Sequence, residues 1–400
     1  NSTMGFLLSQ GFFSFLSLQV FPKIGKKSHN ITMRRFLIKN LNKWVSHTWL
    51  MKKIFVNGYG SIGSRITSFL KDDPEITIIG VGKYSPDDKV ELANSRGLNV
   101  YVPERKLGDF SDYKIAGSIE SALDDCDLVI DAAPEGYGYK NKKSLYEPKN
   151  IQAIYQGGES TMGSEAVSDL LFNSRVNYDK AFGQSHVMQG SCNVTGMGRI
   201  LEPLRNKFGN KLIRFDVTLV RRWADIEQTD KELSDTIEMT EKPHHGDDVK
   251  MYFGKDAPLF VRAIKVPTRQ MHLHIMDIRF KDLAPKSSEI HEIFANESGV
   301  ATLWTAKGTK DVRDYAKNMG FNFTDTNMVH IHANMTTSIG DTVQMMYSDD
   351  QTGIVIPENH MLIQAMLFEK PYEEALNHTE SIFHMNEKKQ KLQEYFAKKD

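Results

Sequence analysis

Cys192 has the sequence context of a reactive thiol. It stands in the segment GSCNVTGMGRILEPL, where an apolar run gives way to a helical pattern. A helix N-terminus lowers the pKa of a thiol, because free amide groups and the helix dipole stabilise the thiolate. Since the thiolate is the attacking species, Cys192 is the candidate nucleophile. The alternative, a small buried hydrophobe, is our interpretation of Cys126 in SALDDCDLVIDA.

Two pairs of histidines could serve such a thiol. His272 and His274 stand on a predicted strand, where alternate side chains share one face. His244 and His245 lie in the loop-like segment EKPHHGDDVK. Neither pair has the cysteine or carboxylate spacing of a zinc site, so no metal is predicted. One pair can supply a base beside Cys192, and the other can contact a phosphate group.

The segment GYGSIG predicts a phosphate-binding turn between a strand and a helix. In such a turn Gly58 permits the tight bend, Gly60 lets the backbone approach a pyrophosphate, and Gly63 allows close helix packing. The free N–H groups that open the helix then bind the phosphates. A plain glycine turn is the alternative, but the strand before it and the helix after it favour a dinucleotide site.

Basic residues at the ends of two predicted strands could bind phosphate groups of a cofactor or substrate. The second strand ends in Gly82-Lys83-Tyr84-Ser85, without the acidic residue that favours NAD. Lys83 can instead receive a 2′-phosphate, so NADP or dual use is expected, although an exposed loop lysine is the alternative. Arg221 and Arg222 can hold a substrate or cofactor phosphate, or form an intersubunit salt bridge.

The elements that position these residues alternate between strands and helices from Met51 onward, as in a parallel sheet with crossover helices. After Cys192, the runs RFDVTLVRRW and FVRAIKVPTRQMHLHIMDIRF alternate as in an antiparallel sheet with one covered face. The fold class is therefore α/β, with a nucleotide-binding domain followed by an α+β domain with a mainly antiparallel sheet. A helix near Pro357 and a charged terminal helix close the chain.

Composition narrows the function classes. Hydrophobic and charged residues make up 40% and 25% of the chain, as in soluble globular proteins. The formal net charge of -1 gives no basic surface for nucleic acid. Two cysteines cannot form a disulfide framework. The apolar stretch GFLLSQGFFSFLSLQVF lacks the basic start and cleavage site of a signal peptide, so residues 1–50 are expected to be disordered or artefactual rather than a targeting peptide.

Taken together, these motifs resemble the archaeal-type glyceraldehyde-3-phosphate dehydrogenases from Met51 almost to the C-terminus. The resemblance implies an N-terminal Rossmann domain over residues 51–191, a catalytic domain over 192–353, and C-terminal helices over 354–400 that pack back on the Rossmann domain. The matching stretches are NGYGSIGSR, GVGKYSPD, DAAPEGYGYKNK, IYQGGE, GSCNVTG, VRRWAD, PHHGDDVK, VPTRQMHLH and IVIPEN.

The resemblance also implies roles for single residues. Cys192 corresponds to the nucleophile and His272 to the base that activates it. The implied substrate contacts are Ser191, Cys192, Asn193, His244 and His245. The implied cofactor contacts are Gly58, Gly60, Ser61, Ile62, Gly63, Lys83, Gly158, Arg222 and Gln351.

The chain departs from the family pattern at two places. Val194 stands where the family has Thr, which removes one contact to a phosphate oxygen. Asp349 and Asp350 replace the usual Val-His before Gln351, which weakens the assignment of Gln351. A rival interpretation is another cysteine-dependent acyl-phosphate reductase, such as a semialdehyde dehydrogenase. A non-catalytic NADP-binding module is a third, and the presence of both Cys192 and His272 disfavours it.

The expected activity is the reversible oxidation of glyceraldehyde 3-phosphate with NADP or NAD. Cys192 would add to the aldehyde and form a thioester, which inorganic phosphate releases as 1,3-bisphosphoglycerate. By resemblance, the protein is expected to be a cytoplasmic homotetramer that binds neither nucleic acid nor membranes.

Overall fold

The computed structural model describes residues 51–156 and 158–398, so the expected N-terminal extension lies outside the described residues. Its first sheet contains β1 (Lys52–Asn57), β2 (Ile76–Gly82), β3 (Val100–Val102), β4 (Gly117–Ser118), β5 (Leu128–Asp131), β6 (Gln152–Tyr155), β7 (Leu171–Phe172) and β8 (His186–Gln189). The order is β4-β3-β2-β1-β5-β6-β8-β7, and every pair is parallel. Strand order reverses at β1, which therefore opens a crevice at its carboxyl end.

Helices cover both faces of this sheet, which explains why Ile54, Phe55 and Val56 are all buried. The connecting segments are α1 (Ser61–Leu70), α2 (Asp88–Ser95), α3 (Ile119–Ala122), α4 (Gly138–Asn141) and α5 (Ser174–Asn177), with 3-10 turns at Glu104–Phe110, Leu123–Asp125, Glu147–Lys149 and Tyr178–Ala181 and a π turn at Lys142–Tyr146. The strand and helix predicted on either side of GYGSIG are confirmed.

The second sheet follows helix α6 (Cys192–Phe208) and contains seven strands. Its elements are β9 (Leu212–Arg222), β10 (Glu238–Thr240), α7 (His245–Phe253), β11 (Leu259–Val266), β12 (His272–Phe280), α8 (Ser287–Ala295), β13 (Val300–Leu303), α9 (Thr309–Asn318), β14 (Val329–Ile339) and β15 (Thr342–Asp349), with 3-10 turns at Gly209–Lys211 and Asn322–Thr324. The strand order is β10-β11-β9-β12-β15-β14-β13. Buried and part-exposed residues alternate along β12, as expected for a sheet with one covered face.

Two pairs in this sheet are parallel, namely β9 with β11 and β13 with β14. The other four pairs are antiparallel, so the expected mainly antiparallel sheet is confirmed. The antiparallel expectation is wrong for β11 because α7 lies between β9 and β11 and carries the chain back across the sheet. Helix α9 connects β13 to β14 in the same way, and a crossover returns a strand in parallel orientation.

Three helices close the described chain: α10 (Val355–Phe368), α11 (Tyr372–Phe383) and α12 (Met385–Tyr395). Helix α10 is buried on nearly all sides, and its polar residues therefore need partners. Asn359 exchanges two amide hydrogen bonds with Gln156, which follows β6, at 2.7 and 3.1 Å. Glu358 accepts hydrogen bonds from the backbone amide of Ser174 and from the Arg199 guanidinium. These contacts fix α10 against both the first sheet and α6.

A buried network of two arginines and two aspartates joins α1 to the second sheet. The Arg65 guanidinium of α1 donates to Asp325 at 2.7 Å, and Arg313 of α9 pairs with Asp350 at 2.7 Å. Arg313 also reaches Asp325 at 3.3 Å, which links the two pairs into one network. Burial and the neighbouring Asp350 raise the pKa of Asp325 to about 7.

The predicted fold class is confirmed, with a Rossmann-like parallel sheet and a second mixed sheet. The positions of the domain boundaries stay a prediction. Over the described residues, none of the helices combines the length and the apolar character needed to cross a membrane.

Gly60, the N-cap of α1, and Gly63, in its first turn, should respond differently to a methyl group. A Cβ on Gly63 would lie 1.9 Å from the Gly58 carbonyl oxygen, whereas one on Gly60 would meet no atom within 4 Å. We therefore expect Gly63→Ala to lower the free energy of unfolding by about 1–3 kcal/mol, the usual cost of overpacking. Gly60→Ala is the matched control and should leave it unchanged, which urea unfolding can measure. Equal stability of the two variants would contradict this packing role.

Candidate active site

A cleft of about 300 Å³ lies at the carboxyl ends of the first sheet, where α1, α6 and the second sheet meet. It brings the predicted nucleophile Cys192 together with predicted cofactor residues that are far apart in sequence. Its lining consists of Gly60, Ser61, Ile62, Ala132, Gln156, Gly190, Ser191, Cys192, Arg222, Asp225, Gln351, Thr352 and Val355. The geometry therefore places a thiol beside a candidate phosphate-binding turn.

The glycine turn has the shape that a pyrophosphate needs. Gly58 has a φ of +124°, and a Cβ there would lie 2.4 Å from the Ala132 carbonyl oxygen, so only glycine fits. Gly60 faces open space, and no described side chain caps the N-terminus of α1. The Ser61 hydroxyl donates to Glu227 at 2.9 Å, and Arg65 pairs with the same carboxylate. The free N–H groups of α1 fit the phosphates of a dinucleotide.

Cys192 is the first residue of α6, as predicted, and Ser191 is its N-cap. Desolvation of the half-buried thiol and the nearby Asp349 nevertheless raise the pKa of Cys192 to about 12, although Arg222 opposes them. The expected lowering of the thiol pKa is therefore wrong for the ligand-free protein. The physical reason is desolvation, since removing water from the thiolate outweighs the helix N-terminus.

Asn193 connects Cys192 to two histidines. Its side-chain oxygen accepts a hydrogen bond from His274 Nε2 at 3.0 Å, and its amide nitrogen lies 3.5 Å from His245 Nε2. The same amide nitrogen lies 3.9 Å from the Cys192 sulfur. The Asn193 side chain is therefore held in place beside the thiol by both histidine pairs.

His272 lies at the start of β12, opposite Asp349 on β15 and next to the end of β9. Its Nδ1 accepts the backbone N–H of Arg222 at 3.2 Å, and its Nε2 lies 3.5 Å from the Arg222 guanidinium. Burial, together with the positive charge of Arg222, lowers the pKa of His272 well below its ordinary value. His272 is therefore neutral, which is the form that a general base requires.

His244 and His245 stack on each other with ring centroids 4.2 Å apart. The predicted loop is only partly found, because His245 begins helix α7. His245 is buried, which lowers its pKa to about 3, and its Nδ1 has no hydrogen-bond partner among the described residues. His244 remains mostly exposed. The pair therefore offers one buried polar atom and one accessible ring near Asn193.

The remaining predicted cofactor residues lie in different surroundings. Arg222 and Gln351 line the cleft, and Gln351 also accepts a hydrogen bond from Arg313 at 3.2 Å. Lys83 is buried after β2, and its ammonium group binds both oxygens of Asp87 at 2.7 Å. Gly158 has a φ of +120° just beyond β6. Lys83 and Gly158 do not line this cleft.

Sequence reasoning paired His274 with His272 without giving it a role, and it treated Asp349 only as a departure from the family pattern. His274 Nε2 lies 3.2 Å from the Asp349 carboxylate, and both side chains are completely buried. Burial raises the pKa of Asp349. The alternation in MHLH places His274 on the same face as His272, but no local motif indicates its contact with Asp349. Asp225, Gln156, Thr352 and Val355 also line the cleft, and no local motif marks them.

No family model matches the chain, but curated relatives match most of it. Glyceraldehyde-3-phosphate dehydrogenase from Methanothermus fervidus is 34% identical over 327 residues, covering 79% of this chain and 94% of that protein. The protein of the same name from Haloarcula marismortui is 34% identical over 323 residues, covering 79% and 89%. That from Sulfurisphaera tokodaii is 32% identical over 336 residues, covering 82% and 95%.

The raised pKa of Cys192 predicts slow alkylation of the ligand-free protein at neutral pH. Below a pKa of about 12 the thiolate fraction grows about tenfold for each pH unit, and the rate constant with iodoacetamide should follow it from pH 7 to 9. Peptide mass spectrometry resolves Cys192 from Cys126, and circular dichroism confirms the fold at each pH. A rate that levels off below pH 8 would instead support a thiol activated by the helix N-terminus.

The negative charge of Asp349 should contribute to the slow alkylation of Cys192. Asp349→Asn keeps the side-chain shape but removes the negative charge that raises the pKa of Cys192. We expect alkylation at pH 8 to become faster by up to about tenfold, the equivalent of one pKa unit. Asp277→Asn, farther along β12, is the matched control and should leave the rate unchanged. An unchanged rate in Asp349→Asn would remove Asp349 from the electrostatics of the site.

Proposed function

The chain belongs to the glyceraldehyde-3-phosphate dehydrogenase family, and we propose that it catalyses the phosphorylating oxidation of D-glyceraldehyde 3-phosphate with NADP or NAD. The observation that carries this proposal is the cleft that Cys192 shares with Gly60, Ser61 and Ile62. A thiol there can react with an aldehyde while the start of α1 holds a dinucleotide.

The cofactor would be held by the backbone of the glycine turn, by the N-terminus of α1 and by Gln351. The open space in front of Gly60 and the uncapped start of α1 fit a pyrophosphate, so the residues present suit the group. When bound, the nicotinamide supplies the hydride acceptor. For cofactor choice, Lys83 favours a 2′-phosphate, but its charge is already balanced by Asp87, which supports dual use.

The first chemical step is the addition of the Cys192 sulfur to the aldehyde carbon. Because the pKa of the thiol is raised, its proton must leave as the bond forms, and it ends on the former carbonyl oxygen. Arg222 lines the same cleft and stabilises negative charge on the sulfur. The addition gives a thiohemiacetal, whose hydroxyl proton must be removed in the oxidation that follows.

His272 is the proposed base for this hydroxyl proton. Its ring is neutral, but both of its nitrogens face donors of Arg222. A substrate anion that draws the Arg222 guanidinium away would raise the basicity of His272. Because Nδ1 accepts the Arg222 N–H, the neutral ring carries its hydrogen on Nε2, and Nε2 can take the hydroxyl proton only after that hydrogen has moved to Nδ1. Arg222 would thus couple substrate binding to base strength. Oxidation leaves a thioester on Cys192.

The thioester is resolved by inorganic phosphate, which attacks the acyl carbon and releases the Cys192 thiolate with 1,3-bisphosphoglycerate. The buried atoms without a hydrogen-bond partner in the described part of the chain include Ser191 Oγ, His245 Nδ1 and Arg222 Nε. Unpaired buried polar atoms are costly, so substrate oxygens are their natural partners. This supports Ser191 and His245 as substrate contacts, and Asn193 and His244 lie next to His245.

The proposal extends to the assembly and its location only by resemblance to the family. We propose a homotetramer in the cytoplasm, and sedimentation of the purified protein would measure the oligomeric state.

The decisive test is phosphate-dependent reduction of NADP and NAD by the purified protein with glyceraldehyde 3-phosphate. We expect activity that requires phosphate and that falls by about 10³-fold or more in Cys192→Ser, because a nucleophile is lost. Cys126→Ser is the matched control and should retain activity, since Cys126 does not line the cleft. Absorbance of the reduced cofactor is the readout, and comparable rates with both cofactors would support dual use.

Other outcomes would reject the proposal in distinct ways. Activity without phosphate would indicate a non-phosphorylating aldehyde dehydrogenase. Inactivity with both cofactors would favour an acyl-phosphate reductase for another semialdehyde. Full activity in Cys192→Ser would exclude the thioester mechanism.

A further inference from the structure

Outside the active-site cleft, four polar side chains converge where the segment after α1 meets α10 and α11. Asp73 Oδ2 lies 2.7 Å from His360 Nε2, and Asp73 Oδ1 lies 3.4 Å from His378 Nε2. The amide group of Gln364 lies 3.3 Å from His360 Nε2. Asp73, His360 and Gln364 are almost completely buried, while the His378 side chain is 18% exposed. The cluster is therefore enclosed, with one side open to solvent.

Thr379 contacts the His360 nitrogen that points away from Asp73. Its hydroxyl oxygen lies 2.7 Å from His360 Nδ1, 2.8 Å from the Ala375 carbonyl oxygen and 3.1 Å from the Met361 sulfur. When the single hydroxyl hydrogen goes to Ala375 or Met361, His360 Nδ1 donates to Thr379, and the neutral ring directs its Nε2 lone pair at the Asp73 carboxylate. In that tautomer a cation can bind between His360 Nε2 and Asp73.

The carboxylates around the cluster also suit a cation. Among the described residues, Asp73 lies against both histidines, and Glu75 lies beside His378 and pairs with Lys370.

Gln364 supplies a second, independent sign of a missing ligand. Its Oε1 atom is buried and has no hydrogen-bond partner among the described residues, while its Nε2 faces the lone pair side of His360. Rotating the amide by 180° exchanges the two atoms and turns the oxygen towards the centre of the cluster. His360 and Gln364 are one helical turn apart on α10, so both can reach the same point.

We propose that Asp73, His360, His378 and Gln364 form a binding site for a divalent transition-metal ion, with Zn²⁺ as the best match. Two imidazoles with oxygen donors are the ligands that zinc accepts. With bonds of about 2.0 Å, tetrahedral donors lie about 3.3 Å apart. The separations of 3.3 and 3.4 Å already fit this geometry. Only the 2.7 Å pair, Asp73 with His360, must open slightly.

The residues that contact the second nitrogens of His360 and His378 are of the kinds that orient metal ligands. His360 Nδ1 bonds to Thr379. His378 Nδ1 lies 3.3 Å from both the Glu75 carboxylate and the Lys370 ammonium, and the tautomer in which Nδ1 donates to Glu75 leaves Nε2 for the ion. Histidine ligands usually place their second nitrogen against such an acceptor. Because Asp73 follows α1 while the histidines lie on α10 and α11, the ion would tie the C-terminal helices to the Rossmann-like part of the chain.

Calorimetric titration of the full-length protein with Zn²⁺, after removal of metals with a chelator, tests this site. The Cys192→Ser background excludes binding by the catalytic thiol. We expect a single Zn²⁺ to bind and the affinity to fall by about 100-fold or more in His378→Ala. His384→Asn is the matched control, because His384 is an exposed histidine whose φ of +51° asparagine tolerates, and it should bind as the parent does.

Glu75→Gln is a second variant that still tests the site if His378→Ala does not fold. It leaves all four ligands in place and removes only the carboxylate behind His378, so the affinity should fall by about 10–100-fold. Absence of Zn²⁺ binding to the Cys192→Ser protein would overturn the proposal and leave a proton-linked ion-pair cluster. Affinity unchanged in both His378→Ala and Glu75→Gln would place the ion elsewhere and overturn it equally.

Discussion

The active-site cleft depends on a buried network of ion pairs that joins helix α1 to the second sheet. Arg65 on the nucleotide-binding helix and Arg313 on α9 hold Asp325 and Asp350, and all four side chains are buried. Losing one member would leave a charge uncompensated in a low-dielectric interior, which typically costs about 3–5 kcal/mol. Because Asp350 directly follows β15 and precedes Gln351, this network sets the distance between the start of α1 and the second sheet.

Local sequence patterns correctly predicted the parts of the structure that depend on residues close together in the sequence. The turn at Gly58–Gly63 and the helix start at Cys192 are both where the sequence indicates, because turn chemistry and periodicity are local. The parallel orientation of β11 and the closeness of His274 to Asp349 depend on strand register across the sheet, which periodicity does not encode. The pKa of Cys192 was predicted wrongly for the same reason, since desolvation is set by residues from every part of the fold.

The site combines a protonated thiol with histidines that burial keeps neutral. Burial first, and then the positive charge of Arg222, lower the pKa of His272. Under the proposed mechanism, an anionic substrate that moves Arg222 would therefore strengthen the base. The same arginine lines the cleft, so one side chain would take part in both substrate binding and activation.

The Glu227 carboxylate, which accepts a hydrogen bond from Ser61 and pairs with Arg65, has a consequence for coenzyme affinity. The chain places an anion of its own next to the helix end that the coenzyme phosphates would use. The carboxylate binds side chains and leaves the N–H groups of α1 free, so coenzyme phosphates bound there would lie near a fixed negative charge. Under the proposed function, this repulsion would weaken coenzyme binding and help the reduced coenzyme to leave.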